Sequence, residues 1–493
     1  MTKQKDLTKI EIDYEKIGFM CGLEIHQQLE TDNLFCTCPS IVHDENPKIV
    51  ANRRLKAVVG ETGVIDKAAA HEQTKSKEMI YEGCEKSYCL VELDEEPPGS
   101  INSESVEAAL IISKMLNCEI VDEVQVMRKT VVDGSNVSGF QRTALIGMNG
   151  YIETSLGKVR VSSVCIEEEA AKKVRGKDIP KSINTEEQEV YRLDRLGVCL
   201  VEVATEPDVK NAEHAQECAE ILGMILRSTG KVKRGIGTIR QDVNVSIKGG
   251  NRVEIKGFQD LKSIPKVVNY EIKRQQELIK KGEDVDMEVR KAEPDMTTSF
   301  MRPMPGAARM YPETDVLPFF ISNEIINSIE IPGLISEKKQ HLIEEYSLDE
   351  GLVKDILNKG YDFDMFVSHY GNLEPKYIAS VLVQVVKELK RKEKLDVDKL
   401  TINDFKDVLG YINEGSVPKN FVGDLLSKKI KNECINLNDY KSVDDTVLEN
   451  GIKEIVESKP GMNMGAYMGL VMAKFQGKVD GKKASQIILR LLK

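Results

Sequence analysis

Glu24, His26 and Gln28 stand at alternate positions in the stretch Cys21-Gly22-Leu23-Glu24-Ile25-His26-Gln27-Gln28-Leu29. Successive side chains of a strand point to opposite faces, so this spacing predicts a strand over Phe19–Leu29. Glu24, His26 and Gln28 would share one face, with Leu23, Ile25 and Gln27 on the other and Gly22 allowing close backbone approach. Four more segments set polar groups into apolar strands. Val161–Glu168 runs into Glu167-Glu168-Glu169, and Leu200-Val201-Glu202-Val203 carries one carboxylate. Arg240, Asp242, Asn244 and Ser246 alternate with apolar neighbours, as do Glu254 and Lys256. A carboxylate buried alone is costly and needs a cation, a basic partner or water. With Glu24 and His26, these groups could surround one or more hard divalent cations. ATP chemistry on an acidic substrate needs such cations, because phosphate and carboxylate otherwise repel. Independent salt bridges on sheet faces are the other reading of the same spacing.

The cysteines offer a second constellation. Cys36-x-Cys38 precedes Cys84-x4-Cys89, and four thiolates can close a tetrahedral zinc site. Free buried thiols are the alternative. Cys21, Cys118, Cys165, Cys199, Cys218 and Cys434 lie in apolar segments and read as core. Ser228-Thr229-Gly230-Lys231 imitates a phosphate loop, but that pattern needs glycine where Ile225 stands and Ser or Thr where Val232 stands. It reads instead as a helix end closed by Gly230.

The elements that must position these groups are of α+β type. Up to about residue 295, short strands alternate with turns such as Val58–Gly63 and the breaker Glu95-Glu96-Pro97-Pro98-Gly99. Strands are expected around 125–132, 150–154, 158–168, 198–204, 239–247 and 251–257, and helices over 105–116, 212–228 and 264–281. The order is not a regular βαβ repeat. Gly282–Arg302 reads as a charged irregular stretch ending a first domain, after which helical patterns dominate, notably 348–359 and 376–394. The 493 residues are too many for one core. No apolar run approaches the length of a membrane span, the opening Met1–Lys9 is polar, and the cysteines are scattered, so a reducing cytoplasm is expected. A net charge of −11 argues against a generic nucleic-acid coat. Thr401–Lys493, with 14 basic and 12 acidic residues, is the less repulsive place for RNA.

Taken together, Gly22-Leu23-Glu24-Ile25-His26, Leu34-Phe35-Cys36, Glu167-Glu168, Leu200–Asp208, Arg240-Gln241-Asp242-Val243-Asn244 and Glu254-Ile255-Lys256 resemble the B/E-subunit family of tRNA-dependent amidotransferases. The wording of Gly22–Leu29 and Pro305–Asp315 is similar to the archaeal E type, and Asn463–Met472 resembles the family's C-terminal domain. The resemblance implies a mixed-sheet catalytic cradle over 1–300, a linker and helical domain over 301–400, and a small helical tail over 401–493 that touches tRNA. It implies ATP-dependent conversion of glutamate-charged tRNA(Gln) to glutaminyl-tRNA(Gln). The side-chain carboxylate is phosphorylated, then amidated by ammonia from an asparaginase-like D-type partner, in a heterotetramer with two copies of each subunit and no membrane. By the same resemblance Glu24, His26, Glu168, Glu202 and Glu254 are catalytic, with His26, Glu168 and Glu254 on Mg2+. Arg240, Asp242, Asn244 and Lys256 are expected to bind ATP or phosphate. Cys36, Cys38, Cys84 and Cys89 fall near the family's zinc region, whose last pair is usually spaced x2, so Cys84 departs from the pattern. E-type subunits also carry an inserted domain resembling part of an aspartyl-tRNA synthetase, for which Lys281–Arg302 leaves no room. Two rival classes remain: a non-catalytic tRNA-binding scaffold, and an ATP-dependent ligase acting on a small carboxylate.

Overall fold

A computed structural model describes residues 12–41, 47–59, 63–258, 260–306, 310–440, 445–475, 479 and 481–492. The opening Met1–Lys9, the Gly60–Thr62 part of one expected turn and Ala307-Ala308-Arg309 lie outside the described residues. The chain divides into two compact units, 1–334 and 335–493.

The first unit is built on strands β1 (Met20–Gln28), β2 (Lys48–Arg53), β3 (Glu78–Gly83), β4 (Val126–Thr130), β5 (Phe140–Thr154), β6 (Gly157–Glu168), β7 (Gln188–Arg192), β8 (Cys199–Thr205), β9 (Ile239–Ser246), β10 (Val253–Lys256), β11 (Glu288–Ala292), β12 (Thr298–Pro303) and β13 (Met310–Pro312). Among the described residues, ten of these form one mixed sheet in the order β12-β11-β10-β9-β1-β8-β6-β5-β4-β13, with β1 in the middle; an eleventh, two-residue strand (Glu119–Ile120) pairs with β5. Only β10 and β11 run parallel; the other neighbours along this path are antiparallel. β2, β3 and β7 belong to a separate four-stranded sheet.

The alternation along β1 is realised in its burial. Cys21, Leu23 and Ile25 are buried, and Glu24, His26 and Gln28 are not fully so. The apolar face packs with Val201 and Val203 of β8 and with Val243 and Val245 of β9. It is covered by the helices α1 (Ser103–Met115), α2 (Ala212–Ser228) and α3 (Ile264–Lys281) through Leu110, Ile112, Leu222 and Ile272. Asn102 and Asn211 cap α1 and α2 by accepting the amides of Ser105 and His214. Gly282 ends α3 in the left-handed region at φ +74°. Gly230 lies just beyond the end of α2 at φ +68°, so Ser228–Lys231 is a helix terminus and not a phosphate loop.

Two residues of β1 fit their places for specific reasons. A Cβ on Gly22 would lie 3.2 Å from the Thr205 carbonyl and 3.3 Å from that of Glu206, so the position demands glycine's close approach. Gln27 lies on the apolar face although it is polar. Its Nε2 donates to the carbonyls of Gln28, Lys233 and Thr238 at 3.0–3.1 Å, which ties the loop before β9 to the central strand.

Gly282–Arg302 differs from the irregular stretch read from the sequence. It supplies β11 and β12, which extend the sheet beyond β10. Its charge hides the strand signal because the polar side chains are satisfied by one another. Arg290 pairs with Glu288 at 2.7 Å and with the fully buried Glu271 of α3 at 3.6 Å. The turn between the two strands is closed by the Glu293 amide on the Thr297 carbonyl at 2.9 Å.

The second unit is helical, from Ile335–Tyr346 to Gly481–Leu491. One apolar cluster runs from Leu342 to Tyr440, crossing residue 400 without a break; a separate one joins Leu448, Ile452, Tyr467, Val471 and Ile488. In the second cluster a Cβ on Gly451 would lie 2.3 Å from the ring of Phe475, so only glycine lets these helices meet.

Candidate active site and its two acidic clusters

The open face of the sheet lines a cavity of about 860 Å³, within the range of a small-molecule site. Register decides what projects into it. His26 stands opposite Glu202 of β8 and Arg240 of β9, and Glu24 stands opposite Asp242 of β9. Glu254 of β10 is opposite Asn244. The carboxylates therefore gather in two groups along β1. Ligand atoms of His26, Glu167 and Glu202 lie within 4.8 Å of one another, and so do those of Glu24, Asp242 and Glu254. Two residues along a strand span about 7 Å, which sets the scale of the separation between the groups.

The first group is held by short contacts. His26 Nε2 is 3.3 Å from Glu202 and 3.5 Å from Glu167, and its Nδ1 is 4.0 Å from Asp242. Burial disfavours a charged imidazole, but the hydrogen bond to Glu202 and the charges of Glu167, Glu202 and Asp242 outweigh it and lift His26 to about 9. Burial likewise opposes ionisation of Glu202; His26 and Lys129 overcome it and hold this carboxyl well below its usual range. Lys129 Nζ lies 2.7 Å from Glu167 and 3.8 Å from Glu202. In the second group Lys256 Nζ lies 2.5 Å from both Asp242 and Glu254. Burial and the carboxylates of Glu254 and Glu202 push Glu24 upward, and Asn244 donates to it at 3.0 Å. Asn244 itself lines an adjoining cavity of about 430 Å³ that shares Glu24 and Arg252 with the first.

Glu24, His26, Glu202, Glu254, Arg240, Asp242 and Lys256 thus meet at one cavity, as their spacing suggests. Glu168 does not. Alternation along β6 turns Glu167 to the cavity and Glu168 to the reverse face. There Glu168 accepts the backbone amide of Arg142 at 3.0 Å and one of its guanidinium nitrogens at 3.2 Å. Arg142 also donates to Glu313 at 2.8 Å, and Glu313 accepts from Arg128 at 2.8 Å, so Glu168 belongs to a buried charge ladder behind the site. Glu167 and Lys129 were missed by sequence reasoning. A run of three glutamates gives no register, and Lys129 follows a second basic residue, so neither could be assigned a face.

The thiol constellation is also rearranged. Cys36, Cys38, Cys89 and Glu92 converge within 4.8 Å, and Cys84 is not among them. Cys84 is buried at the turn after β3, where its carbonyl accepts from the amide and hydroxyl of Ser87 at 2.9 Å. Cys36 Sγ is 2.8 Å from Glu92 Oε1, and Glu92 Oε2 accepts the Cys89 amide at 2.9 Å. Burial and the neighbouring Glu92 raise the thiols of Cys36 and Cys38, the latter to about 12. Cys89-x2-Glu92 carries the x2 spacing that Cys84-x4-Cys89 lacks, and that was the readable signal.

A mixed sheet that presents paired acidic clusters to one cavity has the make-up of an enzyme's catalytic domain. Residues 19–327 match the family described as GatB/GatE catalytic domain, and residues 362–492 match the GatB domain. The chain belongs to the GatB/GatE family and is an enzyme subunit of the ligase class. Its relatives include the glutamyl-tRNA(Gln) amidotransferase subunits E of Methanococcus maripaludis (33% identical, 98% of this chain and 99% of that protein), Methanocaldococcus jannaschii (33%, 98% and 100%) and Archaeoglobus fulgidus (34%, 98% and 99%). The match to the first spans 639 aligned positions, more than the 493 residues here, so that relative carries stretches this chain lacks. No described helix is long and apolar enough to cross a membrane.

Proposed function

We propose that this chain is the catalytic subunit of a glutamyl-tRNA(Gln) amidotransferase that turns tRNA-bound glutamate into glutamine. ATP phosphorylates the side-chain carboxylate, and ammonia then displaces phosphate to leave the amide. The observation that carries this reading is the pair of acidic clusters on successive same-face positions of β1, inside one cavity. The carboxylate oxygens suit a hard cation, so Glu167 and Glu202, with His26 once the cation has displaced its proton, would hold one Mg2+ and Glu24, Asp242 and Glu254 a second. Bound there, Mg2+ would offset the repulsion between the attacking carboxylate and the γ-phosphate. Arg240, Lys129 and Lys256 supply positive charge beside the phosphates, and Asn244 orients Glu24. Met127 and Leu145 give part of the wall an apolar surface that limits access of water to the acyl phosphate.

Ammonia would come from an asparaginase-like D-type partner, two copies of each subunit forming the cytoplasmic complex. Residues 1–300 would serve as the catalytic cradle, with Met310–Pro312 added to its sheet, 301–400 as linker and helical domain, and 401–493 as the tRNA-contacting tail, whose part up to Tyr440 shares the helical domain's core. Cys36, Cys38, Cys89 and Glu92 would hold a structural Zn2+, since three thiols and one carboxylate suit its four-coordinate preference. The test is ADP release with ATP and Mg2+, comparing glutamate-charged with uncharged tRNA(Gln). The reading expects release only with the charged form, lowered by at least roughly a hundredfold in Glu167→Gln, the range in which loss of one electrostatic group falls. Equal release with uncharged tRNA, or an unimpaired variant, would contradict it.

A further inference from the structure

Each acidic cluster is spanned by a lysine that also lines the cavity. Lys129 Nζ contacts Glu167 and Glu202, the two carboxylates that group with His26. Lys256 Nζ contacts Asp242 and Glu254, the two that group with Glu24. A divalent cation would take oxygens of the same carboxylates at about 2.0–2.6 Å. An ammonium bonded to those carboxylates would then face a doubly charged ion a few ångströms away, across a buried site where such repulsion is poorly screened. The two occupants compete.

A lysine displaced from its carboxylates needs another anion. The other acidic groups of the cavity offer little: Glu169 is already engaged by Arg240 at 2.9 Å, Glu24 by Asn244 at 3.0 Å, and Asp133 accepts the amide and hydroxyl of Ser135 at 3.0 and 2.5 Å. The anion must therefore arrive with the ligand. A lysine is suited to the change, because its charge sits on a flexible four-carbon stem that can swing without moving the strand.

We propose that Lys129 and Lys256 are exchangeable occupants of the two clusters: each holds its carboxylates together while no divalent cation is bound, and each is released by the cation to bind a phosphate of the incoming ligand. The proposal rests on the functional reading above for the cations and the phosphate. Cation loading and phosphate binding then favour one another, since loading frees the group that phosphate needs, and the coupling must be reciprocal.

Mn2+ serves as the cation probe, by electron paramagnetic resonance or calorimetry on the full chain, and ATP as the phosphate probe. Lys129→Met and Lys256→Met should each bind Mn2+ roughly tenfold tighter than the unaltered chain, because the competing charge is gone. In saturating Mn2+ both should bind ATP more weakly, again by about tenfold, the effect of one lost charge–phosphate contact. Lys129→Arg should keep the Mn2+ affinity near that of the unaltered chain. Mn2+ affinity equal to or below that of the unaltered chain in both methionine variants would overturn the exchange while leaving the cation sites standing. Absence of Mn2+ binding in every protein would overturn the functional reading as well. Where a methionine variant unfolds during isolation, Lys→Gln replaces it, and the readout becomes the rise in Tm on adding Mn2+. A rise larger than that of the unaltered chain supports the exchange, and an equal or smaller one overturns it.

Discussion

Glu167 and Glu168 are neighbours in sequence, yet they answer to different physics. Glu167 shares its cavity with His26 and Lys129, whereas Glu168 is buried against Arg142 on the other face. Glu167→Gln should therefore lower ATP-dependent turnover by at least roughly a hundredfold, far beyond any loss of folded protein measured for the same variant. Glu168→Gln should lower stability by about 1–3 kcal/mol, the usual loss when a buried charged hydrogen bond is weakened, with activity falling only as folding does. Denaturant melts beside turnover assays separate the two, and the opposite pattern would refute the assignment. Glu313 gives a pH test. Burial opposes its charge, but Arg128, the Asp315 amide and Arg142 prevail and hold it at about 2. A depressed carboxyl contributes stability that is present above its unfolded pKa and is lost as pH falls from there through about 2. Glu313→Gln should cost about 3 kcal/mol near neutrality, the lower end for breaking a buried pair, and should flatten the acid limb of the stability curve. An unchanged acid limb would count against the ladder. At Cys36, Cys38, Cys89 and Glu92, a purified sample should carry zinc that Glu92→Ala loses and Cys84→Ser keeps, as measured by metal analysis.

At the scale of elements, period-two patterning was a sound guide at the strands beside β1, although of β5 (Phe140–Thr154) only 150–154 was expected. The spans 239–247 and 251–257 are realised as Ile239–Ser246 and Val253–Lys256, and the helices 212–228 and 264–281 recur with the same limits. The pattern failed where charges replace apolar packing. β11 and β12 hide behind Arg290, Glu288 and Lys291, which pair with one another's near neighbours and, through Arg290, with Glu271 of α3, so charge stands where the pattern looks for apolar residues. The separate sheet of β2, β3 and β7 was also unread, because β7 pairs with β3 at Gln188 and Glu78, far apart in the sequence, and no short hairpin marks the β2–β3 pair. Glu24, His26, Asp242 and Glu254 were legible because a carboxylate or imidazole inside an apolar strand must be explained. Glu92 and Lys129 were not, since their partners are fixed only by tertiary register. Gly22→Ala tests the centre of the sheet. The added methyl meets two backbone carbonyls that cannot retreat, so a loss of about 1–3 kcal/mol by denaturant melting is expected, as for overpacking in general.

Over the whole molecule the chain divides into two compact units, 1–334 with the cavity and 335–493, which is helical. The apolar cluster from Leu342 to Tyr440 means that a truncation at Thr401 would expose half of a core, whereas one after Tyr440 would remove the separate cluster of Leu448–Ile488. A chain ending at Tyr440 should keep its ATP site, measured by Mg2+-dependent nucleotide binding, and should bind tRNA at least about tenfold more weakly by filter assay. Such a loss fits removal of one or two charged contacts. Full tRNA affinity would place recognition elsewhere. The β11–β12 hairpin joins the sheet through a five-residue turn from Glu293 to Thr297, so Lys281–Arg302 is already filled by strand and turn. The central claim is that this chain performs both phosphorylation and amide formation. Its most direct test supplies the purified chain with ATP, Mg2+, ammonium chloride and glutamate-charged tRNA(Gln), and follows the esterified amino acid. Appearance of glutamine on the tRNA, one for each ADP formed, is the predicted result. Glutamate left unchanged, with ammonium chloride or with a D-type partner and its amide donor, would contradict the account.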